Sequence, residues 1–297
     1  MMMENYLDIE EALRASAKKT EAALRGYYPA DAESDTLWGS ELYSLTAGGK
    51  RIRPYLVLEF CRLFGGSEAA AMPFACAVEM MHTFSLIHDD LPCMDDDDLR
   101  RGTPTNRKVW GEATALLAGD SLELRAVLTA MKNPAVAPED ALRAARVLGD
   151  GAMGMIEGQI LDMAAETKAI SLDELRTLYA KKTGELMRVS AVLGCIAAGV
   201  PDGDKRIADA TAYALGIGHA FQIIDDVLDA ESTAEELGKS VGSDVRDGKT
   251  TYLSFMSAAD ARAYARRVTD EATAAVAGYP GSEMLTTLAE WLLMRRK

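Results

Sequence analysis

Six aspartates fall within ten positions of the segment DDLPCMDDDDLRRG (residues 89–102), and Arg100 and Arg101 follow at once. Most runs of like charge are solvated faces or loops. A second segment, FQIIDDVLD (221–229), resists that account, because Asp225, Asp226 and Asp229 sit inside an apolar stretch. On a helix Asp225 and Asp229 stand at i and i+4, with their carboxylates on one face roughly 5–6 Å apart. Burying ionised carboxylates without partners costs several kcal/mol each. The pattern therefore calls for cations. A hard divalent ion such as Mg2+, which combines one or two carboxylates with phosphate oxygens, is the natural one. A calcium loop of the EF-hand type is disfavoured, because counting from Asp89, Asp90 or Asp95 finds no glycine at the sixth position and no glutamate at the twelfth.

Metals held between two carboxylate clusters usually bridge to a polyphosphate, and the sequence supplies matching basic groups. GGKRIRP (48–54) presents Lys50, Arg51 and Arg53 after two glycines, Arg100 and Arg101 close the first acidic run, and Lys182 and Thr183 interrupt an apolar segment. Lys239 and Lys249 follow the second acidic run. Arginine forks and lysine point charges suit phosphate oxygens. Alone, GGKRIRP is an ordinary basic turn. Five basic sites beside two acidic clusters, in a chain with 46 acidic and 32 basic side chains, point to two diphosphates.

The elements that must position these groups are helices. Alanine, leucine, methionine and glutamate dominate, aromatics are 6%, and apolar residues recur at three and four rather than two. The spacing predicts helices over about 4–24, 37–47, 54–64, 68–91, 111–131, 138–166, 171–198, 204–230, 251–277 and 283–296, with no strand. Two of these carry the acids. The seam of 204–230 runs Ile207, Thr211, Ala214, Gly218, Phe221, Gln222 and ends in Asp225 and Asp229; that of 68–91 runs Phe74, Ala77, Met81, Phe84, Ser85 and ends in His88 and Asp89. Asp95 would point about 120° away from Asp89 on a straight helix. Pro92 can end the helix and re-aim it.

Breaks such as Gly65-Gly66-Ser67 and Pro280-Gly281-Ser282 are too short for interdomain linkers, so the expectation is one all-α domain over 1–297. The net charge of −14 disfavours nucleic-acid binding. Cys61, Cys76, Cys93 and Cys195 form no C-x-x-C pair, which suggests reduced thiols rather than a zinc site or disulfide framework. An acidic N-terminus unlike a signal peptide, and no run judged to approach the ~18–20 apolar residues of a membrane span, complete the expectation of a soluble, cytoplasmic protein.

HDDLPCMDDDDLRRG resembles the first aspartate-rich motif of the trans-isoprenyl diphosphate synthases (polyprenyl synthetases) in its longer-spacer form. FQIIDDVLD resembles their second motif, and GGKRIRP their homoallylic diphosphate site. GMIEGQILDM (154–163), KKTGELM (181–187) and GKSVGSDVRDGKTTY (238–252) follow in the family's order, so the resemblance runs from about residue 40 to the C-terminus. It implies a helical bundle around a central cavity, a homodimer, and Mg2+, three ions in all, with Mn2+ as an alternative. Asp89, Asp95 and Asp225 are then principal metal ligands, supported by Asp90, Asp226 and Asp229. Arg100, Lys182, Lys239 and Lys249 grip an allylic diphosphate, while Lys50, Arg53, His82 and Arg101 hold isopentenyl diphosphate. Thr183 and Gln222 present oxygens to a developing cation. Gly154 and Gly158 serve close helix packing. The implied reaction is head-to-tail prenyl transfer.

Phe84, five positions before Asp89, resembles the large aromatic of bacterial-type synthases that stop at farnesyl diphosphate, with a twenty-carbon product as the alternative. A terpene cyclase would have no use for a second diphosphate site. A non-catalytic partner subunit would be expected to lose motif aspartates, and a metal buffer would not need the interleaved bases.

Overall fold

The computed structural model describes residues 2–231 and 250–295. Helix α1 (Met2–Arg25) leads through a 3₁₀ turn to α2 (Thr36–Leu45), α3 (Ile52–Leu63) and α4 (Glu68–Asp89). A two-stranded antiparallel pair, β1 (Leu99–Arg100) with β2 (Thr103–Pro104), precedes α5 (Asn106–Trp110), α6 (Glu112–Met131) and α7 (Pro138–Thr167). After these, α8 (Leu172–Tyr179) passes through a π-helical turn, Ala180–Gly184, into α9 (Glu185–Ala197). The rest comprises α10 (Lys205–Glu231), a 3₁₀ turn at Tyr252–Ser254, α11 (Ala258–Val276) and α12 (Glu283–Met294).

Local chemistry starts several of these helices. Asp35 accepts from the N–H groups of Leu37 (2.8 Å) and Trp38 (2.9 Å), satisfying donors that the first turn of α2 leaves open. Ser67 caps α4 through Ala70, Pro138 opens α7, and Ser171 with Glu174 forms a reciprocal capping box on α8.

Four expectations need correction. The sequence suggested no strand, yet Arg101 (φ +54) and Gly102 (φ +78) turn the chain tightly enough to pair β1 with β2. Gly111 (φ +84) separates α5 from α6. The expected helix over 171–198 contains the π turn, and that over 251–277 is divided, because Ser257 caps a fresh helix at Ala258. Finally, one run does approach a membrane span. By length and mean hydropathy (1.3) α4 is apolar enough to cross one, but 72% of that stretch is buried inside the fold. It is the central helix, and packs against α3, α6 and α9.

Phe74, Met80, Met81 and Ile87 of α4 are fully enclosed. Burying each such side chain stabilises the fold by roughly 1.5–3 kcal/mol. A neighbouring cluster joins α3, α9, α10 and α12, and a third lies between α10 and α11. The end of α4, the end of α10 and the π turn consequently converge on one face of the core. The four cysteines are free thiols, and only Cys93 is exposed.

Candidate active site

Asp89 is the last residue of α4. Beyond it the chain folds back, with the N–H of Asp95 donating to the Asp89 carbonyl (2.9 Å), so both aspartates line one cavity. This return provides the re-aiming that Pro92 suggested, and Asp96 takes a left-handed conformation (φ +54) to close it. The cavity measures about 730 Å³, and Asp97, Arg100, Lys182, Thr183, Gln222 and Phe84 also reach its wall. Burial pushes the Asp89 carboxyl up to about 6, Asp95 and Asp90 push the same way, and Lys182 and Arg100 oppose them.

Lys182 and Thr183 sit in the π turn, which widens the helix locally and re-aims side chains. Lys182 Nζ donates to Asp162 of α7, and Thr183 Oγ1 donates to Gln222 Oε1 of α10 at 3.0 Å. Gly158 makes the approach of α7 possible, since a Cβ there would lie 2.3 Å from the Lys182 backbone nitrogen. Gly154 packs similarly against Glu185. Both glycines thus do the packing work expected of them.

Two expected metal supporters are committed elsewhere. Asp90 is buried and takes both Nε (2.8 Å) and a terminal nitrogen (2.7 Å) of Arg100, beside a different, small cavity. Asp226 is buried and accepts from the Tyr179 hydroxyl (2.9 and 3.1 Å) and the Tyr252 N–H (2.8 Å). Consecutive helical residues diverge by about 100°, so Asp89 and Asp225 cannot share a direction with their neighbours. Asp225 instead meets Arg295, at 2.5 Å. Asp229 is half-buried one turn further along α10. Lys239 and Lys249 lie outside the described residues.

A second cavity of about 310 Å³ adjoins the first, sharing Arg53, His82 and Phe221 with it, and Lys50 and Arg101 add further positive charge. An Arg53 terminal nitrogen lies 3.4 Å from His82 Nε2. Burial, then Arg53 and Arg101, hold His82 well below the usual imidazole range, so it is neutral. Arg53 itself, lowered to about 10 chiefly by burial, stays charged at neutral pH. Arg101 lies against Gly49 and donates to the Gly48 carbonyl; a Cβ on Gly49 (φ +122) would stand 2.7 Å from the guanidinium carbon. The Lys50 ammonium sits 5.2 Å over the Trp291 ring.

Sequence reading missed Arg295, Trp291 and Glu79, and left the role of Asp162 open. The apolar helix ending WLLMRR was a usable signal for the first two, and Glu79, one turn before His82 on α4, was a charge on a buried seam. Among the described residues no three carboxylate, imidazole or thiol groups converge on a single ion position. The donors nevertheless fit Mg2+. Asp89 and Asp95 offer hard oxygens into one cavity, burial of Asp89 favours a neutralising partner, and a cation already lies on Asp225.

Comparison with known proteins agrees with this geometry. The family model for polyprenyl synthetase matches residues 37–277. The chain is 48% identical over 227 residues to a farnesyl diphosphate synthase of Bacillus subtilis, covering 75% of this chain and 76% of that protein. It is 44% identical over 262 residues to geranylgeranyl pyrophosphate synthase 9 of Arabidopsis thaliana, with 85% and 72% covered. Among solved structures, an FPP/GFPP synthase from Zymomonas mobilis superposes with a TM-score of 0.84 at 32% identity, covering 97% of this chain and 99% of the other. A geranylgeranyl pyrophosphate synthetase from Pyrococcus horikoshii gives 0.86 at 29% identity, with 99% of each covered.

Proposed function

The chain belongs to the polyprenyl synthetase family and is a prenyltransferase; from that premise we propose that it condenses isopentenyl diphosphate head-to-tail with dimethylallyl and geranyl diphosphates, giving farnesyl diphosphate. The observation that carries this reading is the pair of adjoining cavities. One is walled by Asp89, Asp95, Arg100 and Lys182, the other by Lys50, Arg53, His82 and Arg101, and they meet at Arg53, His82 and Phe221. A cyclase needs only the first; a condensing enzyme needs both.

Asp89, Asp95 and Asp225 would hold Mg2+, which when bound neutralises charge on the leaving diphosphate. Arg100 and Lys182 add fixed positive charge at the same place, where each aligned donor is worth about a hundred- to a thousand-fold in rate. The allylic C–O bond breaks, and the apolar wall containing Phe84 keeps water from the resulting carbocation. Thr183, with its hydroxyl fixed on Gln222, turns oxygen lone pairs toward that cation. Lys50, Arg53 and Arg101 hold the second diphosphate so that the isopentenyl double bond attacks the cation. A new C–C bond forms, and the departing diphosphate takes up the proton lost from the adjacent carbon.

A second copy of the chain docks on the outer faces of α6 and α7. There Leu117, Leu124 and Leu128 on one helix and Met153 on the other leave large apolar surface exposed. Incubating the protein with isopentenyl and dimethylallyl diphosphates, then separating the dephosphorylated products, tests the reaction. Farnesol as the main product supports it; geranylgeraniol would move the assignment to a twenty-carbon enzyme, and cyclic hydrocarbons would reject condensation.

A further inference from the structure

Arg51 lies between two residues assigned to isopentenyl diphosphate, yet its own side chain is only 2% exposed. It adopts the left-handed conformation (φ +49, ψ 41), which is unfavourable for a non-glycine residue. Two contacts hold it there. One terminal nitrogen donates to Glu79 of α4, itself 2% exposed, and the other to the Leu45 carbonyl at the end of α2 (2.5 Å). Glu79 is the one acid among the described residues lining the basic cavity, one helical turn before His82. It already attracts Arg53 and Arg101, opposing the effect of burial on both. The Arg53 Nε is buried without a hydrogen-bond partner among the described residues.

We propose that Arg51 is a positioning residue that neutralises Glu79, so that Arg53 and Arg101 remain available to the second diphosphate instead of being drawn onto a buried carboxylate. This rests on the reading of the cavity as the isopentenyl diphosphate site. A carboxylate at this depth requires a cation. With Arg51 present the demand is met by a buried guanidinium already committed to Glu79 and the Leu45 carbonyl. Without it, Arg53 and Arg101 are the nearest substitutes, and a diphosphate must compete with Glu79 for them. Glu79 is thus an internal competitor that Arg51 silences.

Steady-state kinetics on both substrates tests this in Arg51→Met, Glu79→Gln and the double variant. Arg51→Met raises KM for isopentenyl diphosphate about ten- to a hundred-fold, the loss expected for a charge-assisted contact, while KM for the allylic substrate changes less than threefold. Adding Glu79→Gln restores KM for isopentenyl diphosphate to within about threefold of the parent. A double variant that keeps the full defect overturns the proposal, as does an Arg51→Met protein with no defect. Should Arg51→Met fail to fold, Glu79→Gln alone decides: an unchanged or lower KM supports silencing of an acid, and a rise beyond threefold overturns it. Arg53→Ala measured alongside separates the underlying reading, because an unchanged KM there would reject the isopentenyl diphosphate site itself.

Discussion

Arg295 donates to Asp225 at 2.5 Å while its guanidinium stacks 3.8 Å above the Phe221 ring, so a residue following α12 occupies a carboxylate of the second aspartate motif. The arginine side chain is 5% exposed and the aspartate 41%. A cation must leave Asp225 before a metal can use that oxygen fully. Arg295→Ala should therefore tighten Mn2+ binding to the substrate-free protein about fivefold, since a partly exposed pair is worth ~1 kcal/mol. Paramagnetic relaxation of water protons reads this directly, and weaker binding would mean that Arg295 assists the metal.

Asp89 carries a pH signature. In the folded, metal-free chain it keeps its proton up to about pH 6, against 3.8 as the ordinary value. The folded state therefore binds more protons between those values, and the residue's penalty is absent below 3.8 and fully present above 6. Asp89→Asn should stabilise the chelator-treated protein at pH 8 by about 1–3 kcal/mol, with the gain vanishing toward pH 4. Urea titrations at both pH values check this, and turnover should fall at least a hundred-fold. A destabilised variant at pH 8 would show that Asp89 is structural.

The two cavities should respond separately. Lys50→Ala is expected to raise KM for isopentenyl diphosphate about ten- to a hundred-fold, and Lys182→Ala to do the same for the allylic substrate. Equal effects of either substitution on both substrates would contradict two subsites.

Phe84 lies in the cavity wall about a turn and a half before Asp89, roughly 7.5 Å along α4, with its ring edge-on to His88 at 5.6 Å. Phe84→Ala should open that wall and shift products to twenty carbons or more while leaving the reaction running. Chromatography of the dephosphorylated alcohols gives the answer, and an unchanged distribution would move the chain-length limit elsewhere.

The helical class, the helix breaks and both aspartate motifs were legible because each depends on residues within a few positions. The helical seams also set Asp89 and Asp225 inward, ahead of Asp90 and Asp226. Where the second aspartate of each pair goes was not legible: Arg100 holds Asp90, and Tyr179 and Tyr252 hold Asp226, through partners that no local spacing records. Arg295 was invisible for the same reason: its partner lies 70 residues earlier, and no local periodicity records such a contact. The β1–β2 pair was missed because two left-handed residues, not strand propensity, create it.

The widened turn at Ala180–Gly184 has a geometric consequence. Leu175, Leu178, Lys182, Leu186 and Val189 follow one another at three and four, the spacing that an uninterrupted α-helix lays out as a single stripe. On such a rod Lys182 would be buried mid-stripe. The extra residue in the turn introduces a phase slip of about 100°. Leu175 accordingly joins the cluster between α10 and α11, whereas Leu186 and Val189 join the one around α4. The helix acts as a rotary coupling between two cores, and the ammonium of Lys182 emerges at the joint.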